Sequence, residues 1–299
     1  MPNTGTPNTG TYDVRPRDGP ARLQQQLGAA LAELLRPGTY VGAARETLFA
    51  LVHAAVHPLG LLSVEALQDA LDAERAVEAI DQRLAPSTAA MPILLLHGYV
   101  MNHSAFLVMR QALTEAGFRH VRAFSYPQFT HGVPEIARML KVEVERALEA
   151  AGAERCSIVG HSLGGIVARY YAQVLGGENT LDTVVTLGTP HMGTYAAHFG
   201  VGPVAMQLTY QSPFLNELRR TTRPSSVRYI SYYSDLDLFV VPAISAKLTD
   251  PSLQATNIRV RDIGHLSMLL SGEVVQSVVD YLAHPERSRP TTRSSAAPA

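Results

Sequence analysis

One junction constrains the fold of this chain more than any other. An apolar run from Cys156 to Val159 stops at Gly160-His161-Ser162-Leu163-Gly164-Gly165, and a helical pattern takes over from Ile166 to Leu175. A strand that becomes a helix within so few residues needs small side chains where the backbone doubles back. A serine between glycines at such a turn has its Oγ held clear of its own backbone, ready to attack. Gly-x-Ser-x-Gly by itself is weak evidence; the strand before and the helix after strengthen it. Its meaning depends on partners elsewhere in the chain.

Strand and helix signals alternate throughout the region beyond Met91. Candidate strands are Ile93–Leu96, Val121–Phe124, Cys156–Val159, Thr183–Leu187, Val227–Tyr233 and Ala255–Val260. Most are continuously apolar, as parallel strands covered on both faces must be. Helices are expected over Ser104–Ala116, Pro134–Ala151, Leu163–Leu175 and Gly272–Leu282. In the second of these Ile136, Leu140, Val144 and Leu148 recur every four residues, Pro134 opens the first turn and Gly152 closes the last. The pattern predicts an α/β domain over residues 91–285, a doubly wound, mostly parallel sheet of about six strands. In such sheets ligands bind beyond the carboxyl ends of the strands.

Ahead of this domain, residues 21–85 read as a helical extension. Leu23, Leu27, Leu31 and Leu34 form one stripe, Tyr40–Val56 a second helix, and Val64, Leu67, Leu71, Ile80 and Leu84 a third after a Ser63 cap. The second is the most apolar, but Arg45, Glu46 and His53 interrupt it, and it is too short to span a bilayer. It is read as packing on the main domain, with a membrane-surface or lid element as the alternative. Pro86-Ser87-Thr88-Ala89-Ala90 reads as a linker. Residues 1–20, with a repeated Pro-Asn-Thr-Gly, and residues 286–299 read as disordered tails.

Of the 299 residues, 46% are hydrophobic and 17% charged, which describes a globular protein with a large core. A net charge of −1 with no basic block argues against nucleic acid as a partner. The lone Cys156 rules out an internal disulfide framework and is compatible with a reducing compartment. No basic n-region or apolar h-region precedes the extension, so a cytoplasmic location is expected.

The strand-end loops carry the chemistry. After the first strand comes His97-Gly98-Tyr99-Val100-Met101, where glycine lets backbone amides face the cleft as an oxyanion hole requires. Ser162 follows the third strand, Gly188-Thr189-Pro190-His191-Met192-Gly193 the fourth, Asp235-Leu236-Asp237 the fifth and Gly264-His265 the sixth. The order is serine, acid, histidine, each at a strand end, which is the order of the α/β-hydrolase triad. Of eleven histidines, His265 alone follows the acid and lies between the last strand and the last helix. Position leaves Asp235 and Asp237 both open as the acid; Asp182 lies at the wrong edge and Asp262 too close to His265.

With these segments in hand, and Pro92–Gly98 before them, residues from about Met91 to Leu282 resemble the lipase and esterase branch of the α/β-hydrolases, particularly the compact bacterial lipases. The resemblance implies Ser162 as nucleophile, His265 as base and Asp237 as acid, since this branch places its acid just before an apolar triplet, here Leu238-Phe239-Val240. It implies oxyanion donors at the backbone N–H groups of Tyr99 and Leu163. It also implies an acyl-ester or lipid substrate, with no cofactor and no metal. Serine rather than aspartate at the turn argues against epoxide or haloalkane hydrolysis. Val100, Met101, His191, Met192 and Phe214 are expected at the substrate, and contact with a membrane or lipid surface is compatible with the apolar extension. Residues 195–226 are read as an acyl pocket or short lid, or else as an ordinary helix-bearing connection. The rival readings are an acyltransferase or thioesterase using the same triad, and a non-catalytic binding protein on the same fold.

Overall fold

The computed structural model describes Glu46 and residues 84–284. The expected tails and all but a few residues of the helical extension lie outside the described residues. Six strands, β1 (Ile93–Leu96), β2 (Val121–Phe124), β3 (Cys156–His161), β4 (Leu181–Leu187), β5 (Arg228–Ser234) and β6 (Gln254–Val260), form one parallel sheet in the order β2-β1-β3-β4-β5-β6. The order reverses between β1 and β3, so the crevice at their carboxyl ends is where a ligand site is expected. Register brings those ends level: Leu96 pairs with Gly160 and His161 with Leu187.

Among residues 84–284, seven α-helices connect and cover the sheet: α1 (Pro86–Ala90), α2 (Leu107–Glu115), α3 (Val133–Ala151), α4 (Leu163–Val174), α5 (Gly202–Gln207), α6 (Pro213–Arg220) and α7 (Gly272–Ala283). Strand periodicity divides the core in two. Ile93 and Leu95 face a layer with Met109, Leu113 and Val278, whereas Leu94 and Leu96 face one with Ile136, Leu140 and Ile166. Each such fully buried side chain contributes about 1.5–3 kcal/mol. Helix α3 begins with Pro134 in its first turn and ends at Gly152, whose φ of 60° needs glycine's freedom. Helix α4 is buried over most of its length, so the turn that opens it is held against the sheet.

Two expectations are corrected. The linker at 86–90 is a short helix with Thr88 and Ala89 buried, because Pro86 presets its first turn and the small residues pack inward. The helix expected from Ser104 begins as a 3-10 turn, His103–Phe106, since the Asn102 side chain accepts the Ser104 N–H at 3.0 Å and tightens the start. The connection at 195–226 contains a 3-10 turn, Tyr195–Phe199, and helices α5 and α6.

Candidate active site

The β3–α4 turn is built by close backbone approaches. A Cβ on Gly160 would lie 2.6 Å from the Gly164 carbonyl carbon, and one on Gly164 would overlap the Leu96 carbonyl oxygen. Between them Ser162 adopts φ 51°, ψ −115°, an unfavourable conformation for a residue with a side chain. Its N–H donates to Leu187 O at 2.9 Å, pinning the turn to the end of β4. The strain is the cost of presenting Oγ at the sheet edge.

His265 lies across the cleft. Its Nδ1 is 2.7 Å from Asp237 Oδ2, and both side chains are almost wholly buried. Asp237 Oδ1 accepts the N–H groups of Phe239 and Val240, each at 2.9 Å, so the carboxylate is fixed by its own loop. With Nδ1–H donated to the carboxylate, Nε2 is left as the acceptor, the tautomer a general base needs. Asp235, two residues earlier, is about a third exposed and pairs with Arg259 instead. Gly188, at φ 54°, makes room for the pair: a Cβ there would lie 2.9 Å from both Asp237 Oδ2 and His265 Nδ1. Gly188 and His161 acquire roles here that no local pattern signalled. His161 Nε2 donates to the His265 carbonyl at 3.1 Å.

The loop after β1 forms the third side. His97 stacks on Tyr126 with ring centroids 4.1 Å apart, which anchors the loop. Gly98 approaches so closely that a Cβ would meet His161 Nδ1 at 2.8 Å and Ser162 Cβ at 3.2 Å. The Met101 N–H reaches Gly98 O at 3.3 Å across a turn whose third residue, Val100, has φ 60°. A β-branched residue there is a real outlier, so backbone strain flanks the cleft on both sides. The Tyr99 hydroxyl donates to Val201 O at 2.7 Å and accepts Val201 N–H at 2.8 Å, tying this loop to the 195–226 connection.

A cavity of about 620 Å³ opens over Ser162 and His265, lined by Tyr99, Val100, Met101, Phe199, Leu238 and Phe239 among others. Of the residues expected at the substrate, Val100 and Met101 line it. The other three lie elsewhere. Phe214 stacks on Tyr170 at a separate cavity of about 730 Å³ between α4 and α6. The Met192 N–H donates to the Ser245 carbonyl and hydroxyl, and Met192 is not among the residues lining the cavity. His191 is 2% exposed, with Nε2 3.2 Å from Thr186 Oγ1. Burial, reinforced by Arg169, holds its pKa well below the usual histidine value. His191 and Met192 follow the end of β4 and Phe214 lies on α6, and none of the three lines the cavity over Ser162.

Cys156, at the far end of β3, is no rival nucleophile, because burial pushes its thiol up to about 12. Among the described residues, no group of three or more histidine, cysteine or acidic side chains is placed to hold a metal ion.

A family model described as the alpha/beta hydrolase fold matches residues 91–258. A triacylglycerol lipase of Pseudarthrobacter phenanthrenivorans is 35% identical over 78 residues, 24% of each chain. A triacylglycerol lipase of Burkholderia plantarii is 35% identical over 78 residues, 24% of this chain and 21% of its own. The chain thus spans about a quarter of the length of the curated relatives it matches. A Bacillus licheniformis lipase in its mature form superposes with a TM-score of 0.56 at 18% identity, over 68% of this chain and 95% of that one. Aspergillus fumigatus lipase B gives 0.58 at 17% identity, over 65% and 52%; at these identities the likeness is one of fold. The names fall in the branch that the sequence segments resemble, and the family match covers more than half of the residues. The chain belongs to the α/β-hydrolase fold family.

Proposed function

We propose that this protein is a serine ester hydrolase of the lipase and carboxylesterase kind, acting on esters with apolar acyl chains. The observation that carries the reading is the buried 2.7 Å pair of Asp237 and His265, whose imidazole lines the same apolar cavity as the strained Ser162. His265 takes the Ser162 proton as Oγ attacks the ester carbonyl, while Asp237 fixes the imidazole tautomer. The backbone N–H groups of Tyr99 and Leu163 hold the oxyanion, each such donor being worth about 10²–10³ in rate. His265 then protonates the leaving alcohol, and water repeats the cycle on the acyl-enzyme.

The cavity wall favours an alkyl chain over a charged group. Phe199 and Leu238, at 92% and 74% exposure, line it and suit contact with a lipid surface. Labelling by a fluorophosphonate tests the nucleophile: Ser162→Ala should abolish the signal and lower kcat about 10⁶-fold. A panel of p-nitrophenyl esters tests the pocket, with turnover expected to favour apolar acyl chains. Equal turnover of short charged esters would refute the substrate class.

A further inference from the structure

After β6 the chain passes Gly264 and His265 and enters a 3-10 turn, Leu266–Leu269. The first N–H groups of such a turn have no partner within it. The usual remedy is the side chain of the preceding residue, but here that residue is His265, whose ring is committed to Asp237 and makes no cap.

The missing cap comes from more than two hundred residues upstream. Glu46, in helical backbone, accepts the Leu266 N–H on Oε1 at 2.6 Å and the Ser267 N–H on Oε2 at 3.0 Å. Oε2 also accepts the Ser267 hydroxyl at 2.5 Å. Both carboxylate oxygens are used, and hydrogen bonds to an ionised acceptor are the stronger kind. Gly264 leaves space for the carboxylate; a Cβ there would overlap Oε2. Glu46 and the sheet belong to the same compact unit.

We propose that Glu46 is a positioning residue for the base. Its carboxylate fixes the two peptides after His265, while His161 holds the His265 carbonyl from the other side. The backbone under the imidazole is clamped at both ends, so the ring's distance from Ser162 is set by a residue outside the span of the sheet. The interruption of the most apolar N-terminal segment at Glu46 thereby acquires a purpose.

This inference rests on His265 acting as the base, and the experiment separates the two. In the full-length chain, Glu46→Gln, Glu46→Ala, Ser267→Ala and Ser162→Ala are compared by fluorophosphonate labelling rate, by kcat and KM on p-nitrophenyl butyrate, and by thermal melting. A base displaced by about 1 Å costs about 10²-fold, so Glu46→Ala should slow labelling and kcat by that much with KM nearly unchanged. Glu46→Gln keeps one acceptor oxygen and should fall between Glu46→Ala and the wild type. If Glu46→Ala does not fold, Glu46→Gln and Ser267→Ala decide the matter, each expected to lower kcat without raising KM. Wild-type labelling and kcat in the folded Glu46 variants, or a loss confined to KM, overturns the proposal while leaving the base in place. Labelling that persists in Ser162→Ala overturns the catalytic assignment and this inference with it.

Discussion

The two walls of the cleft are held by different means. The Ser162 wall is a matter of backbone: glycines at 160 and 164 touch neighbouring main chain, and a strained residue sits between a strand and a buried helix. The His265 wall is a matter of side chains drawn from distant segments, with Asp237, His161 and Glu46 each gripping a different atom of the loop. Damage to the first wall should therefore cost stability before chemistry, and damage to the second chemistry before stability.

The sharpest test of that contrast is the acid. Asp237→Asn keeps the shape but reverses the hydrogen-bond logic at Nδ1, and kcat should drop about 10⁴-fold with little change in melting temperature. Asp235→Asn, two residues away, should leave kcat untouched, since an exposed ion pair contributes only about 0.2–1 kcal/mol to stability. A loss confined to Asp235→Asn would reverse the assignment of the acid.

Glycine substitutions compare the walls directly. Gly188→Ala forces a methyl between Asp237 and His265, and about a 10²-fold loss of kcat is expected. Gly164→Ala drives a Cβ into the Leu96 carbonyl, and overpacking of about 1–3 kcal/mol or more should appear as a lower melting temperature. If Gly164→Ala melts normally yet loses activity, the distinction between the walls fails.

The smallest expected effect is a pH dependence of stability that belongs to neither wall. His191 resists protonation in the fold, so below about pH 6.5 the unfolded chain binds a proton that the native one does not. Its contribution to stability is complete above that pH and is lost on acidification by up to about 1.4 kcal/mol per pH unit, until the native pKa is reached. Urea titrations between pH 7 and 5 should show a shallower slope in His191→Gln than in the wild type.

The parallel sheet was legible because the central strands β1, β3 and β4 are short, largely apolar runs bounded by turn residues, with helical patterns between strand signals. That Ser162 and His265 would meet at one cavity was legible because chain order and strand ends restrict the choice. Asp237 was not separable from Asp235 by position, because both lie in one loop; what distinguishes them is the Arg259 guanidinium on β6, which spacing does not encode. Phe214 and His191 do not line the cavity over Ser162, because Phe214 stacks on Tyr170 from α6 and His191 is buried beside Thr186, directions set by packing that chain position does not encode. Glu46 was invisible as a brace, since one acid among apolar residues reads as a solvated interruption until its partners are brought to it.

The Glu46 brace also sets an order of assembly. The Ser162 turn has its neighbours once β1, β3 and β4 are made, whereas the base wall waits for Asp237, then His265, and finally Ser267 to meet a carboxylate synthesised 221 residues earlier. Closing so long a loop costs little more free energy than closing one half as long, about 0.6 kcal/mol per doubling, but it must come late. Under the proposed mechanism, a chain emerging from the ribosome thus carries Ser162 well before His265 can take its proton, and hydrolytic competence arrives only with the last elements of the fold.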